Sequence, residues 1–272
     1  MSQPAPDLHD LDHLVDVTRY PVHDPNDVRY DELALRCRHE LAAAGVSILD
    51  GFLSSATLAR LVGEAEQLAG FGHASDVPGT PYLELPSDLW PSGHPRTTWS
   101  HTKLTAISYD KFPSDSALRK LYESDAFLAF LCAALGFDIY RYDDPLGGLN
   151  IAAMYDGDEL AWHFDQTDFV VSIAIQSSEH GGEFECAPRI RSADDERYDD
   201  VAAVLAGDHH AVATVPMTPG TLMLFEGRAS LHRVAPIVGS QPRYVALFGY
   251  DRKPGTCSSD LLREIRYGTK NT

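Results

Sequence analysis

The stretch Glu159-Leu160-Ala161-Trp162-His163-Phe164-Asp165-Gln166-Thr167-Asp168-Phe169-Val170-Val171-Ser172-Ile173-Ala174-Ile175-Gln176 decides how this chain is read. From Phe169 to Ile175 it is apolar and largely β-branched, the composition of a buried strand. If extended backbone runs through 162–165, His163 and Asp165 share one face, because alternate residues of a strand point the same way. Two polar side chains turned into an apolar interior are costly unless they are paired or hold an ion. With 12 His in the chain, roughly one His-x-Asp pair is expected by chance. The pair therefore gains its weight from the strand around it and from a second histidine and an arginine later in the chain.

Downstream, Pro219-Gly220 marks a turn, Thr221 to Phe225 a strand, Gly227 a break, and Ser230 to Val234 a second strand. On that second strand His232 shares a face with Val234. A lone His there is more often a core residue satisfied by a hydrogen bond; beside the His163 motif it becomes a candidate metal ligand. The rival pair His209-His210 sits in a polar turn after Gly207 and reads as solvated. Arg243 heads the apolar run Arg243 to Tyr250, where an arginine is ordinarily a snorkelling edge residue. Two imidazoles and one carboxylate suit Fe(II), binding one face of the ion and leaving positions open. The planar fork of an arginine suits a carboxylate.

Composition narrows the class. Apolar residues at 44% and charged residues at 23% describe an ordinary globular protein, and 272 residues suffice for a substantial core. No run approaches the length of a membrane span. The opening Met1-Ser2-Gln3-Pro4-Ala5-Pro6-Asp7 lacks a basic-then-apolar signal pattern, so a cytoplasmic protein without a membrane partner is expected. Cys37, Cys132, Cys186 and Cys257 are scattered, with no CxxC pair, and are expected to be free thiols. A net charge of −18 argues against a nucleic-acid partner, which needs a basic surface.

The chain reads as one domain, 1–272. Residues 1–28 are a loosely held arm, 29–145 helical and loop support, 146–255 the core and 256–272 a C-terminal segment. Helical spacing covers Tyr30 to Ala44, a strand follows at Val46 to Leu49, and Ser54 caps a helix reaching about Leu68. Residues 70–100, rich in Gly, Pro and Ser, read as a long loop, and Ser116 to Leu135 as one helix. Strand signals then dominate, at 149–155, 162–176, 182–187, 211–217, 221–226, 230–236 and 243–250, with a helix inserted between Asp194 and Gly207. Helices followed by many short strands suggest a mainly β protein built on a double-stranded β-helix, the jelly-roll or cupin-like barrel. That fold would bring His163 and His232 to one mouth.

From about Asp144 to Gly255 the chain resembles the Fe(II)/2-oxoglutarate-dependent oxygenases, most closely the hydroxylase relatives of the carrier-free amino-acid halogenases. The matching segments are Trp162-His163-Phe164-Asp165, Gly181-Gly182-Glu183-Phe184-Glu185, Pro219-Gly220-Thr221-Leu222, Leu231-His232-Arg233-Val234 and Pro242-Arg243. The resemblance implies Fe(II) held by His163, Asp165 and His232, 2-oxoglutarate anchored by Arg243, O₂ as oxidant, and succinate and CO₂ as coproducts. The halogenases carry a small residue where this chain has Asp165, which frees a position for chloride. Hydroxylation, or another outcome of hydrogen abstraction, is therefore expected here.

The expected substrate is a small free polar molecule, an amino acid or derivative. A protein-directed, prolyl-type hydroxylase and a non-catalytic jelly-roll binding protein are the alternatives, and a homodimer is left open. The 70–100 loop and the 187–210 insertion are expected to roof a small pocket. Arg96 lies where the resemblance suggests a clamp for a substrate carboxylate, against the plain reading of a surface arginine. Asp144, with Asp143, reads either as a partner for a substrate cation or as a turn former before Pro145. Asn150 and Tyr155 are candidate 2-oxoglutarate partners or ordinary strand residues.

Overall fold

In the computed structural model, which describes residues 11–84 and 89–269, local capping chemistry sets most helix ends. The Asp27 side chain accepts from the Arg29 N–H to open α1 (Val28–Ala44), and Gly45 closes it in the left-handed conformation at φ 69°. β1 (Val46–Leu49) follows directly, and Ser54 caps α2 (Ser55–Leu68) by accepting from the Thr57 N–H. Then come β2 (His73–Gly79) and β3 (Ser100–Ile107). α3 (Ala117–Glu123) and α4 (Asp125–Leu135) are next. β4 (Tyr140–Arg141), β5 (Leu149–Met154), β6 (Leu160–His163), β7 (Val170–Gln176), β8 (His180–Gly181) and β9 (Phe184–Ala187) follow. The chain ends through α5 (Tyr198–Leu205), β10 (Ala213–Val215), β11 (Leu222–Phe225), β12 (Leu231–Val234), β13 (Ile237–Val238), β14 (Arg243–Phe248), β15 (Tyr250–Asp251) and α6 (Asp260–Tyr267).

A seven-stranded sheet runs in the order β1-β11-β7-β14-β5-β3-β2, and a four-stranded sheet in the order β10-β9-β12-β6, all neighbours antiparallel. Strand alternation sorts the side chains into layers. On one face of the large sheet, Ile151, Ala153, Val171, Ile173, Ala246 and Phe248 pack against Phe127, Phe130 and Leu131 of α4 and the apolar face of α1. The opposite face sends Leu104, Ala106, Met154, Met223 and Phe225 against Phe184, Cys186 and Val234 of the small sheet. Behind the small sheet, Phe164, Ala187 and Leu231 are covered by Tyr82 and by Val201 and Val204 of α5. Each large side chain fully withdrawn from water contributes roughly 1.5–3 kcal/mol, so these three layers fix the sheets relative to the helices.

Several expectations need correction. Residues 1–10 of the expected loose arm lie outside the described residues, but 11–27 are not loose. Leu11, Leu14, Val15, Tyr20 and Val22 are buried in the helix-side core. The expected helix 116–135 is two helices, because the Ser124 side chain accepts from the Phe127 N–H and starts a new one. The expected strand 162–176 breaks between His163 and Val170, where the chain crosses from the small sheet to the large one. The expected loop 70–100 hides β2, whose His-Ala-Ser-Asp-Val-Pro-Gly sequence has no apolar alternation yet pairs with β3 along its whole length. α6 went unexpected. All four cysteines are free. No helix among the described residues is long and apolar enough to cross a membrane.

Candidate metal centre

His163 is the last residue of β6, and β12 lays His232 directly opposite it in register. The two rings lie 4.1 Å apart between centroids. Asp165 sits two residues beyond β6, in the crossover, where its N–H donates to Gly227 O at 3.1 Å. Its carboxylate lies between the rings, Oδ1 at 3.6 Å from His163 Nε2 and Oδ2 at 3.4 Å from His232 Nε2. The three ligand atoms fall within 4.8 Å of one another. The structure thus brings together the three residues that the sequence singled out. His209 and His210, by contrast, are exposed, and His210 pairs with Asp208.

Hydrogen bonding orients both rings. His163 Nδ1 donates to Ala161 O at 2.8 Å, and His232 Nδ1 donates to Ser230 O at 2.9 Å. A carbonyl can only accept, so each neutral ring carries its proton on Nδ1 and turns the Nε2 lone pair toward Asp165. Burial, then the neighbouring His163, depresses the His232 pKa to about 4, which leaves that ring unprotonated at neutral pH. Burial pushes the Asp165 carboxyl up, but the imidazoles of His232 and His163 outweigh it and hold the group below its ordinary range. Asp165 Oδ2 is itself buried and makes no hydrogen bond. Two imidazole nitrogens and an orphaned carboxylate oxygen converging on one point fit a divalent transition metal.

Arg243, the first residue of β14, is 7% exposed. Among the described residues its one hydrogen-bond contact is Nη1 to Met154 Sδ at 4.0 Å, and no carboxylate pairs with it. Burial alone lowers its pKa to about 10. A buried guanidinium without a counterion is a site shaped for an anion. Asn150 lies on the same face of β5 as Met154, two pairs of residues along, and is half-buried. Tyr155 does not join them. Strand alternation turns it the other way, 37% exposed, toward Tyr244 on the helix side. On the inner face of β7, the Ser172 hydroxyl is buried without a partner.

Two expected substrate contacts are already occupied. Arg96 donates to Tyr198 OH at 2.9 Å, pairs with Glu84 and Glu196, and stacks over the Tyr82 ring at 4.1 Å. Tyr82 packs on Phe164, which faces away from the metal side chains. Arg96 therefore ties the loop before β3 to α5 behind the small sheet. The loop and α5 cover that outer face, where they were expected to roof the site. Asp144 is 3% exposed and saturated: it accepts from the N–H groups of Leu146 and Ser258, and its Oδ1 lies 3.2 Å from Arg263 Nη2. Asp143 is exposed and engages Thr256 and Cys257 through its backbone.

Sequence reasoning missed the groups that hold Asp165. A Cβ at Gly227 would stand 1.7 Å from Asp165 Oδ2, so only glycine leaves room for the carboxylate. Arg228 braces the crossover by donating to Gln166 O and pairing with Asp168 at 2.6 Å. The Gly227 break was visible in the sequence, but its dependence on Asp165 was not.

A family model described as Halogenase D matches residues 93–270. A comparison with curated proteins gives no match. Among solved structures, a 2OG-Fe(II) oxygenase family oxidoreductase from Burkholderia pseudomallei is 15% identical, with 82% of this chain and 92% of that one covered at a TM-score of 0.53. The non-heme alpha ketoglutarate dependent carbocyclase SnoK from nogalamycin biosynthesis is 13% identical, covering 89% and 92% at a TM-score of 0.56. A Pseudomonas putida prolyl-4-hydroxylase is 14% identical, covering 81% and 99% at a TM-score of 0.51. At such identities the likeness is one of fold.

Proposed function

The chain belongs to the halogenase D family, and on that premise we propose that it is a non-haem Fe(II), 2-oxoglutarate-dependent oxygenase hydroxylating a small free polar metabolite, an amino acid or a derivative of one. The observation that carries this reading is the Asp165 carboxylate, 3.6 Å and 3.4 Å from two imidazole nitrogens whose protons are held elsewhere. Despite the family's name, a third protein ligand here fills the position that a halogenase leaves for chloride, which favours oxygenation. The two sheets read as the halves of a double-stranded β-helix.

His163, Asp165 and His232 would hold the metal. When bound, Fe(II) supplies the activation of O₂ that couples decarboxylation of 2-oxoglutarate to oxidation of a substrate C–H bond. Because each Nδ1 proton is committed to a backbone carbonyl, Nε2 is the nitrogen that each ring would offer to the metal. Phe184 and Phe225 pack on His232 with ring centroids 5.5 and 4.9 Å away, limiting water behind that ligand. Arg243 anchors the distal carboxylate of 2-oxoglutarate, exchanging a weak sulfur contact for two charge-assisted hydrogen bonds. Asn150 remains a candidate partner of the cosubstrate on the same inner face. Ser172, on the neighbouring strand, joins it with a buried hydroxyl that no protein group satisfies.

A small substrate suits the enclosure of the ligands, since His163 and His232 are only 7% and 4% exposed and offer little surface to an extended polypeptide. The −18 charge disfavours nucleic acid, and the same reading keeps the enzyme in the cytoplasm. The test is succinate formation from 2-oxoglutarate with Fe(II) and O₂, measured against free amino acids and other polar metabolites on one side and proline-containing peptides on the other. Stimulation by a free metabolite is expected. Stimulation by peptides alone would move the enzyme to the protein-directed class, and no Fe(II)-dependent succinate under any condition would remove the enzymatic reading.

A further inference from the structure

Among the described residues, three other than glycine hold a positive φ, and Arg189 is one of them, at 49°, two residues beyond β9. A long side chain rarely adopts this left-handed conformation, and it persists only where its surroundings over-determine it. The Arg189 N–H donates to Ser230 Oγ at 3.0 Å. Its guanidinium forks onto Glu226, Nε to Oε2 at 2.6 Å and Nη2 to Oε1 at 2.8 Å. The same group donates to Leu41 O at 2.7 Å and to Ala42 O, carbonyls of the last turn of α1. Gly45 stands at the centre of the cluster. A Cβ there would lie 3.4 Å from Ser230 Oγ, 3.6 Å from Arg189 Cγ and 3.7 Å from Glu226 Oε2. The Glu226 N–H closes the ring by donating to Gly45 O at 2.8 Å.

Arg189 therefore grips both ends of the turn from Glu226 to Ser230 that joins β11 to β12. Contacts to two of the three metal-site side chains start within that turn. Gly227 O accepts the Asp165 N–H at 3.1 Å, and the missing Cβ of Gly227 leaves room for the Asp165 carboxylate. Ser230 O accepts from His232 Nδ1 at 2.9 Å. Stability alone is a weak reason for this arrangement. The Arg189 and Glu226 side chains are 39% and 32% exposed, where an ion pair contributes little, and the left-handed backbone itself costs free energy. Ser230, by contrast, is fully buried, so the partner of its hydroxyl matters.

We propose that Arg189 is a positioning residue for the metal centre: by holding Glu226 and Ser230 at once, it sets the turn that aims Asp165 and His232 at one ion. This rests on the reading of His163, Asp165 and His232 as metal ligands. Arg189 acts through Gly227 and Ser230. His163 is oriented by Ala161 on β6, outside the grip. Loss of Arg189 thus disturbs two ligands and spares the third, which distorts the site and weakens it without removing a ligand.

The test is Co(II) titration of the metal-free protein, followed by the visible absorption of the bound ion, beside thermal melting of the same metal-free samples. Arg189→Gly suits the left-handed backbone and keeps the N–H to Ser230 while losing the fork. Its melting temperature should stay within about 4 °C of the wild type. Its Co(II) affinity should fall by roughly 10–100-fold, as for other partners that orient a ligand, and the absorption of bound Co(II) should change with the ligand geometry. Arg189→Lys, which keeps the charge without the fork, should lie between. Ser230→Ala should weaken Co(II) as well, and the double variant should lose less than the two single losses combined, because both act through one turn. The proposal is overturned if Arg189→Gly binds Co(II) with wild-type affinity, or if its bound Co(II) has the wild-type spectrum. It is also overturned if the melting temperature falls further than about 4 °C in step with the affinity, which would make Arg189 a structural tie, or if the double variant is fully additive. A wild type that binds no Co(II) would instead strike the reading of the three side chains as metal ligands.

Discussion

His163 and His232 are register partners across β6 and β12, their ring centroids 4.1 Å apart. Antiparallel pairing of two short strands therefore does what neither sequence segment can do alone: it sets two imidazoles side by side on one face. Each ring is then held by the carbonyl two residues before it, Ala161 for His163 and Ser230 for His232. The pattern is the same on both strands, so ring orientation follows from backbone geometry.

Replacing His232 by Ala should abolish tight Fe(II) binding while the sheets survive. Removing an outer partner of a metal ligand already costs about 10–100-fold in affinity, so loss of the ligand itself should exceed that. Metal content after dialysis is the measurement. Unchanged iron would exclude His232 as a ligand.

Gly227→Ala should weaken Fe(II) binding without touching a ligand. The new methyl would lie 1.7 Å from Asp165 Oδ2, and the carboxylate must swing away. A drop of roughly 10–100-fold in metal affinity is expected, as for other outer positions that orient a ligand. Wild-type affinity in a folded variant would show that Asp165 is not confined by Gly227.

Arg243→Lys keeps the charge and loses the fork. The apparent affinity for 2-oxoglutarate should fall by about tenfold or more, with Fe(II) binding intact. If only the response to the prime substrate changed, Arg243 would be a substrate contact.

The site was more legible than its surroundings. His163, Asp165 and His232 stand in segments whose apolar, β-branched flanks already demand strands, and a polar residue there stands out. Arg243, a charge heading an apolar strand, stands out for the same reason, and the structure buries it. Arg96 and Asp144 misled because a charge on a loop looks available until its partners are seen, and those partners, Glu196 and Arg263, lie far away in sequence. Tyr155 failed by one step of strand alternation beyond Met154. β2 was hidden because an edge strand need not be apolar. α6 was hidden because its Asp-Leu-Leu-Arg-Glu-Ile-Arg-Tyr sequence is short and buries Arg263 rather than one of its apolar residues.

Asp144→Asn should cost stability at neutral pH, on the order of 3–5 kcal/mol, because it removes the carboxylate from a buried ion pair with Arg263. Burial pushes the Asp144 carboxyl up, but hydrogen bonds from Ser258 and from the backbone at Leu146 and Gly147 outweigh it and hold it below the ordinary carboxylate value. A depressed folded pKa stabilises above the unfolded value of about 3.9 and loses that contribution as pH falls through the folded pKa. The stability gap between wild type and variant, followed by denaturant unfolding, should therefore hold from pH 7 down to about 4 and narrow below it. A gap that stays constant into the acid range would mean that the carboxylate charge is not what stabilises this corner.

The central claim is that Asp165 makes this member of the halogenase D family an oxygenase, and the most direct measurement is mass spectrometry of the product formed by wild-type enzyme in high chloride under labelled O₂. The expected main product carries one oxygen atom derived from O₂ and no chlorine, with one succinate formed per turnover. A chlorinated main product from the wild type, with Asp165 intact, would contradict it.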